Sequence, residues 1–192
     1  MQINSTHTQT SRILKIGEKA RKLQNEQGIP YLMLHRGVNA VVNIDLNPIV
    51  QQIDFNSSDI QVYPGTAGKE KLRCAISDSY FGGKASPSNI LVMPGGIAGL
   101  DITFQNIQID GVSAPYFFWG SYAQLANLRN LKINTYPTLP SLIKYPHKYT
   151  NRLVIICDPG NPLGEKYPDE DLYNAVDRLY QENIPVLIDS PY

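Results

Sequence analysis

Cysteine is scarce in this chain of 192 residues: Cys74 and Cys157 are the two present, far apart, so neither a disulfide framework nor a thiolate metal cluster has its spacing. Buried free thiols are the reading that remains. Charge of one sign is missing as well, because Lys and Arg together equal Asp and Glu at 17 each. No basic field exists to gather nucleic acid or anionic lipid. Long apolar runs are absent; nothing approaches the roughly 18 consecutive apolar residues of a membrane span. Met1 to Ser11 is polar and lacks the apolar core of a secretory signal, which leads to the expectation of a cytoplasmic protein. There is no internal repeat and no low-complexity tract.

What is present is an ordinary globular balance, 42% hydrophobic and 18% charged, in a length that suits one medium domain or one domain with an arm. Ile13, Ile16, Ala20 and Leu23 recur at helical spacing until Gly28 and Pro30 stop them. Tyr31 to Leu34 is a short apolar run before His35, Arg36 and Gly37; Val38 to Leu46 alternates loosely, and Asn47-Pro48 opens a short helix. These positions, 1–50, read as an N-terminal helix and arm, with a larger domain over 51–192.

In that larger part, helical spacing covers Ala67 to Phe81 up to the pair Gly82-Gly83. Ile90 to Met93 reads as a compact strand, followed by Pro94, Gly95, Gly96 and a helix carrying Leu100, Ile102, Phe104 and Ile107. Val112 to Pro115 is a strand candidate, Ser121 to Asn130 a helix with Leu125 and Leu128 inward, and Leu131 to Tyr136 another strand. Leu153 to Ile156 is apolar without alternation, as expected of a strand covered on both faces. Pro168 to Asn183 is the clearest helix, with Asp169, Glu170 and Asp171 at the positive end of its dipole and Leu172, Ala175, Val176 and Leu179 in one stripe. Pro185 to Asp189 is a final apolar strand. Strands alternating with helices specify an α/β fold, a three-layer α/β/α arrangement around a mostly parallel sheet.

In open parallel sheets, ligands settle beyond the carboxyl ends of the strands. Three segments stand there: Gly95-Gly96-Ile97, Asp158 to Gly164, and Asp189 to Tyr192. Two residues without side chains before a helix leave backbone N–H groups and the helix dipole free to face a phosphate, although such pairs also serve close packing alone. Neither GxGxxG nor GxxxxGK[ST] is formed. In the second segment, prolines on both sides of Asn161 stiffen a loop that presents an amide; the bland equivalent is a rigid surface loop. Asp189 ends an apolar strand, where a carboxylate needs a cation or several donors, or else caps a helix.

The ordered set resembles the fold type I, class I/II pyridoxal-phosphate-dependent aminotransferases, of which it is similar to the N-terminal portion, with an incomplete large domain. The family's tyrosine, glycine and L-R pair are matched by Tyr63, Gly68 and Leu72-Arg73, and its glycine turn by Gly95-Gly96. P-x-Y-x-x-Y is answered loosely by Phe117-Phe118-Trp119-Gly120-Ser121-Tyr122, N-P-x-N-P-T-G by Asp158-Pro159-Gly160-Asn161-Pro162-Leu163-Gly164, and D-x-x-Y by Asp189 and Tyr192. The departures are Asp158 for asparagine, Leu163 for threonine, and Ile97 where a hydroxyl is common.

The resemblance implies pyridoxal 5'-phosphate as cofactor, with amino acid and 2-oxo acid substrates. It implies that Asp189 pairs with the protonated pyridine nitrogen, that Asn161 and Tyr192 hydrogen-bond the ring's phenolic oxygen, and that Gly95, Gly96 and Ile97 offer backbone donors to the phosphate. Trp119 would stack on the ring, with Phe117 the alternative for that place. Tyr63 would reach the phosphate of a neighbouring subunit, so a homodimer is implied, and Gly37 would line the substrate carboxylate pocket. The family's Schiff-base lysine lies beyond D-x-x-Y. No catalytic residue is therefore expected in this chain, which should be inactive alone or need a complementing C-terminal half, and should expose apolar surface at an uncovered sheet edge. A lyase or decarboxylase on the same cofactor, or a noncatalytic binding remnant, are the alternatives.

Overall fold

Hydrophobic patterning is carried into elements most directly by the stretch Arg152–Cys157, which forms β3 in the computed structural model. The structure describes residues 11–33, 37 and 42–192; the expected run at Leu34 with His35 and Arg36, and the start of the loose alternation at 38–41, lie outside them. Leu153 and Ile155 of β3 join one core cluster while Val154 and Ile156 join another, so alternate side chains of a single strand are buried on opposite faces. At roughly 1.5–3 kcal/mol for each fully buried aliphatic side chain, this strand is a main contributor to the core.

The other strands are β1 (Gly111–Pro115), β2 (Lys132–Tyr136) and β4 (Val186–Asp189). All pairings are parallel, in the order β2-β1-β3-β4. Helices α5 (Gly96–Asn106) and α6 (Ser121–Leu128) cover one face through Leu100, Phe104, Tyr122, Leu125 and Ala126. Helices α7 (Leu139–Lys144) and α8 (Asp169–Gln181) cover the other through Leu139, Leu142, Ala175 and Leu179. The result is the expected three-layer α/β/α arrangement.

Two units are distinguished, one within residues 11–94 and one over 95–192. The first holds α1 (Arg12–Gln27), closed by Gly28 in the left-handed region, then α2 (Asn47–Val50), α3 (Ser58–Gln61) and α4 (Glu70–Phe81). The Arg73 guanidinium donates to the carbonyls of Pro87 at 2.6 Å and Gly68 at 3.3 Å, tying α4 to the segments around it. Gly68 has φ +89°, and a Cβ there would lie 2.7 Å from Cβ of Val92, so conformation and close approach both require glycine.

Two expectations need correction. Ile90 to Met93 is not a strand: the Val92 N–H donates to the Ala67 carbonyl at 3.1 Å, a single bond rather than a ladder. Leu128 is exposed, and the inward places on α6 go to Tyr122, Leu125 and Ala126, since the stripe starts one turn earlier than the aliphatic residues suggest. No helix among the described residues is long and apolar enough to cross a membrane.

Candidate functional site

Leu100 and Phe104 pack α5 onto the sheet beside Val112 and Ala114 of β1, and the four residues between α5 and β1 allow only a tight reversal. Helix and strand therefore run in opposite directions. The N-terminus of α5 consequently lies at the carboxyl end of the sheet, where Gly95 has φ +91° and Gly96 opens the first turn. A Cβ on either glycine would meet nothing within 4 Å, so the space before the helix is open and its first N–H groups are unobstructed. Ile97 is exposed on this turn.

The same end of the sheet carries the loop after β3 and the end of β4. Cys157 and Asp189 are register partners at the tips of these strands. Beyond them the Asp158 N–H donates to the Asp189 carbonyl at 3.0 Å, and the Ser190 hydroxyl donates to the Asp158 carbonyl at 2.8 Å. The loop bearing Asn161 is thereby tied to the strand end bearing Asp189. Within the loop, the Gly160 N–H donates to the Glu165 carbonyl and the Gly164 N–H to the Gly160 carbonyl, each at 2.7 Å. Both its X–Pro bonds, Asp158-Pro159 and Asn161-Pro162, are cis. The buried carboxylate of Asp158 accepts from the Tyr167 N–H at 2.9 Å, closing the base of the loop. A hollow of about 30 Å³ beside Asn161, lined by Pro115, Phe117, Cys157 and Tyr167, admits little more than water.

Asp189 is half-buried rather than sunk in a covered strand, because β4 is the sheet's edge and is only partly shielded. Its Oδ2 accepts a hydrogen bond from the hydroxyl of Tyr122, a side chain with no exposed surface. Burial, and then the hydrogen bond to Asp189 and the neighbouring Cys157 thiol, push the phenol well above its usual pKa, so it stays protonated and can only serve the carboxylate as a donor. The Tyr122 ring meets Trp119 edge to face, 5.8 Å between centroids, and lies nearly parallel to Phe118 at 6.2 Å. Trp119 is half-buried, whereas Phe117 is exposed and packs edge to face on Tyr116 at 5.1 Å. Tyr192 is exposed.

Gly95, Gly96, Ile97, Asn161 and Asp189 thus belong to the carboxyl end of one sheet, with Trp119 joined to Asp189 through Tyr122. Tyr63 and Gly37 belong to the unit of residues 11–94, where Tyr63 is 100% exposed and Gly37 is exposed. That unit has its own open hollow of about 410 Å³, lined by Ile60, Val62, Pro64, Leu72 and Val92. Sequence reasoning passed over Tyr122 and Asp158 as site residues. The available signal was a tyrosine on the inward stripe of a short helix, which needs a partner for its hydroxyl.

A parallel sheet covered on both faces, with a glycine-led helix and two polar strand ends at its carboxyl edge, defines an open α/β fold of the kind that receives ligands at that edge. Solved structures bear out the fold. An aspartate aminotransferase from Rhizobium meliloti superposes with a TM-score of 0.78 at 23% identity, covering 98% of this chain and 51% of that one. An aminotransferase from Mycobacterium tuberculosis superposes at 0.80 with 15% identity, covering 100% of this chain and 52% of that one. In sequence, an aspartate aminotransferase of Pinus pinaster is 30% identical over 122 residues, 56% of this chain and 25% of that protein. Residues 44–192 match the family described as aminotransferase class I and II, and the chain belongs to that family. It spans about half the length of these solved structures and a quarter of the pine protein.

Proposed function

We propose that the chain is the cofactor-holding part of an aminotransferase that moves an amino group from an amino acid to a 2-oxo acid, with pyridoxal 5'-phosphate as cofactor. The carrying observation is the pairing of Asp189 with the Asn161 loop through Asp158 and Ser190, at the sheet end toward which α5 points its open first turn. The residues present fit the group: an acid for a ring N–H, an amide for a phenolic oxygen, an indole for a ring face and bare main-chain donors for a phosphate.

When bound, this cofactor supplies an electron sink for the bonds around the substrate's α-carbon. Asp189 would hold a proton on the ring nitrogen through a charge-assisted hydrogen bond. Asn161 and Tyr192 would orient the ring through its phenolic oxygen, Gly95, Gly96 and Ile97 would anchor the phosphate, and Trp119 would exclude water from one face. Tyr63, on the surface of its unit, would reach the phosphate of a second copy in a homodimer, and Gly37 would line the substrate carboxylate pocket. The Schiff-base lysine that such chemistry requires is matched by no lysine of this sequence, so substrate turnover is assigned to the assembled enzyme and cofactor binding to these residues.

Trp119 is the one tryptophan of the sequence and makes the test direct. Titration with pyridoxamine 5'-phosphate, which needs no lysine to bind, should quench its fluorescence saturably. Asp189→Ala should weaken that binding at least about tenfold, the loss of one charge-assisted hydrogen bond of roughly 1.5–3 kcal/mol. Emission that stays flat, or quenching indifferent to Asp189→Ala, would overturn the proposal.

A further inference from the structure

We propose that the turn around Tyr145 is a docking site for an acidic peptide segment of a partner protein, held by Lys144, His147 and Lys148 gathered about one aromatic ring. The proposal is independent of the cofactor reading, because the turn lies at the opposite end of the sheet. From the carboxyl end of β2, α7 leads the chain back, and a short 3₁₀ turn, Pro146–Tyr149, follows before β3. At that end the Asn151 carbonyl accepts from the Asp110 N–H at 2.8 Å, just ahead of Gly111 and Arg152, which are register partners on β1 and β3.

The chain has no net charge, yet residues 144–148 bring three basic side chains together. Burial sorts the turn into two sets. Pro146 and Tyr149 face the core, where Tyr149 meets Tyr136 edge to face at 6.4 Å, while Lys144, Tyr145, His147 and Lys148 stay exposed. The Lys148 N–H donates to the Tyr145 carbonyl at 3.1 Å and the Thr150 hydroxyl to the His147 carbonyl at 3.0 Å, so the outward groups stand on a fixed backbone. Little backbone ordering is left for a ligand to impose. Lys144 Nζ lies 5.2 Å and Lys148 Nζ 4.5 Å from the centroid of the Tyr145 ring, and His147 meets the same ring edge to face at 6.4 Å. The ring thus holds two cations that repel each other, and a carboxylate brought between them relieves that repulsion. Among the described residues no carboxylate forms an ion pair with either lysine; Glu182 pairs instead with Arg178 at 2.8 Å.

The size of the cluster selects its partner. Duplex DNA is gripped through roughly six to ten phosphate contacts, and an anionic bilayer through about four to eight clustered Lys or Arg, more than this turn offers. A few carboxylates on a short peptide match it, and the exposed tyrosine adds a contact surface of the kind enriched at protein interfaces.

A fluorescein-labelled oligoglutamate peptide, titrated into the full chain and followed by anisotropy, tests this. Binding should be saturable, weaken as salt is raised, and be absent for the oligoglutamine counterpart. Lys144→Gln with Lys148→Gln should weaken it at least about tenfold while leaving the thermal melt at the wild-type value. Tyr145→Leu removes the ring that arranges the cations and should weaken it as well. Lys15→Gln with Lys19→Gln, on exposed positions of α1, should leave binding unchanged, which separates this turn from basic charge in general. No saturable binding, binding indifferent to the Lys144 and Lys148 substitutions or to Tyr145→Leu, or an equal loss in the α1 variant overturns the proposal. So does a chain that ignores the peptide but sediments with phosphatidylserine vesicles, since the turn would then serve a membrane surface.

Discussion

Tyr122 and Tyr136 are buried phenols whose pKa values are both pushed above the usual range, by burial first and then, for Tyr122, by Asp189 and, for Tyr136, by the neighbouring Tyr167. Tyr136 additionally donates to the Ile155 carbonyl at 2.9 Å. The sign follows from linkage: below the unfolded tyrosine value of about 10 both states keep the proton, and the stabilisation is complete. Above it the unfolded chain releases protons that the folded chain retains, so stability falls as pH climbs past about 10 toward the raised folded values. Urea midpoints measured from pH 8 to pH 11 should therefore decline at the alkaline end, less steeply in Tyr122→Phe; parallel curves would contradict the assignment. At this scale the sequence singled out Asp189 and Asn161 and hid the contacts that surround them. Asp189 stands out as a carboxylate ending an apolar strand, and Asn161 as an amide between two prolines in the loop after β3. Tyr122 does not, because its partner lies on a strand that only folding brings near.

The loop Asp158–Gly164 shows how an element presents a functional group. Asp158, read in the sequence as a departure from the family's asparagine, is buried and turned inward to the Tyr167 N–H rather than outward to a ligand. An asparagine oxygen could accept the same bond, so Asp158→Asn should leave stability nearly unchanged, whereas Asp158→Ala should cost about 1–3 kcal/mol by orphaning that N–H. Thermal and urea melts of the two variants check it; equal losses would show that charge, not acceptance, matters. Gly68→Ala should likewise destabilise by about 1–3 kcal/mol, since the new methyl meets Val92 and the backbone is left-handed. A melt unchanged from wild type would contradict the requirement for glycine at this position. Elements were legible where patterning is two-sided or strongly striped, as in β3 and α8. Ile90 to Met93 was misread because apolar composition alone does not supply a neighbouring strand to pair with. Leu128 was misread because Tyr122, not a second leucine, completes the inward stripe of α6.

The whole molecule presents much apolar surface. Leu32, Tyr63, Tyr80 and Tyr180 are each more than three-quarters exposed, and the sheet ends on β2 and β4, whose outer backbone groups are unpaired within the sheet. Such surfaces favour association. Sedimentation velocity of the purified chain should therefore show dimers or larger species growing with concentration, and a monomer at every concentration would contradict this. The three-layer architecture was readable from the alternation of strands and helices, because a parallel sheet buries both faces and writes uninterrupted apolar runs. The division into units at Pro94 and Gly95 left no compositional mark beyond a proline and two glycines that serve the helix start equally well.

Under the proposed function, Gly96, Trp119, Asn161 and Asp189 would converge on one heterocycle. A ¹⁵N-resolved NMR titration with pyridoxamine 5'-phosphate tests it most directly, by following the Gly96 and Ile97 amides, the Asn161 side-chain amide and the Trp119 indole N–H. All should shift with a single half-saturation concentration, and all should lose that response in Asp189→Ala. Signals that move at different concentrations, or a subset that moves while the others stay still, would show that these groups serve separate sites.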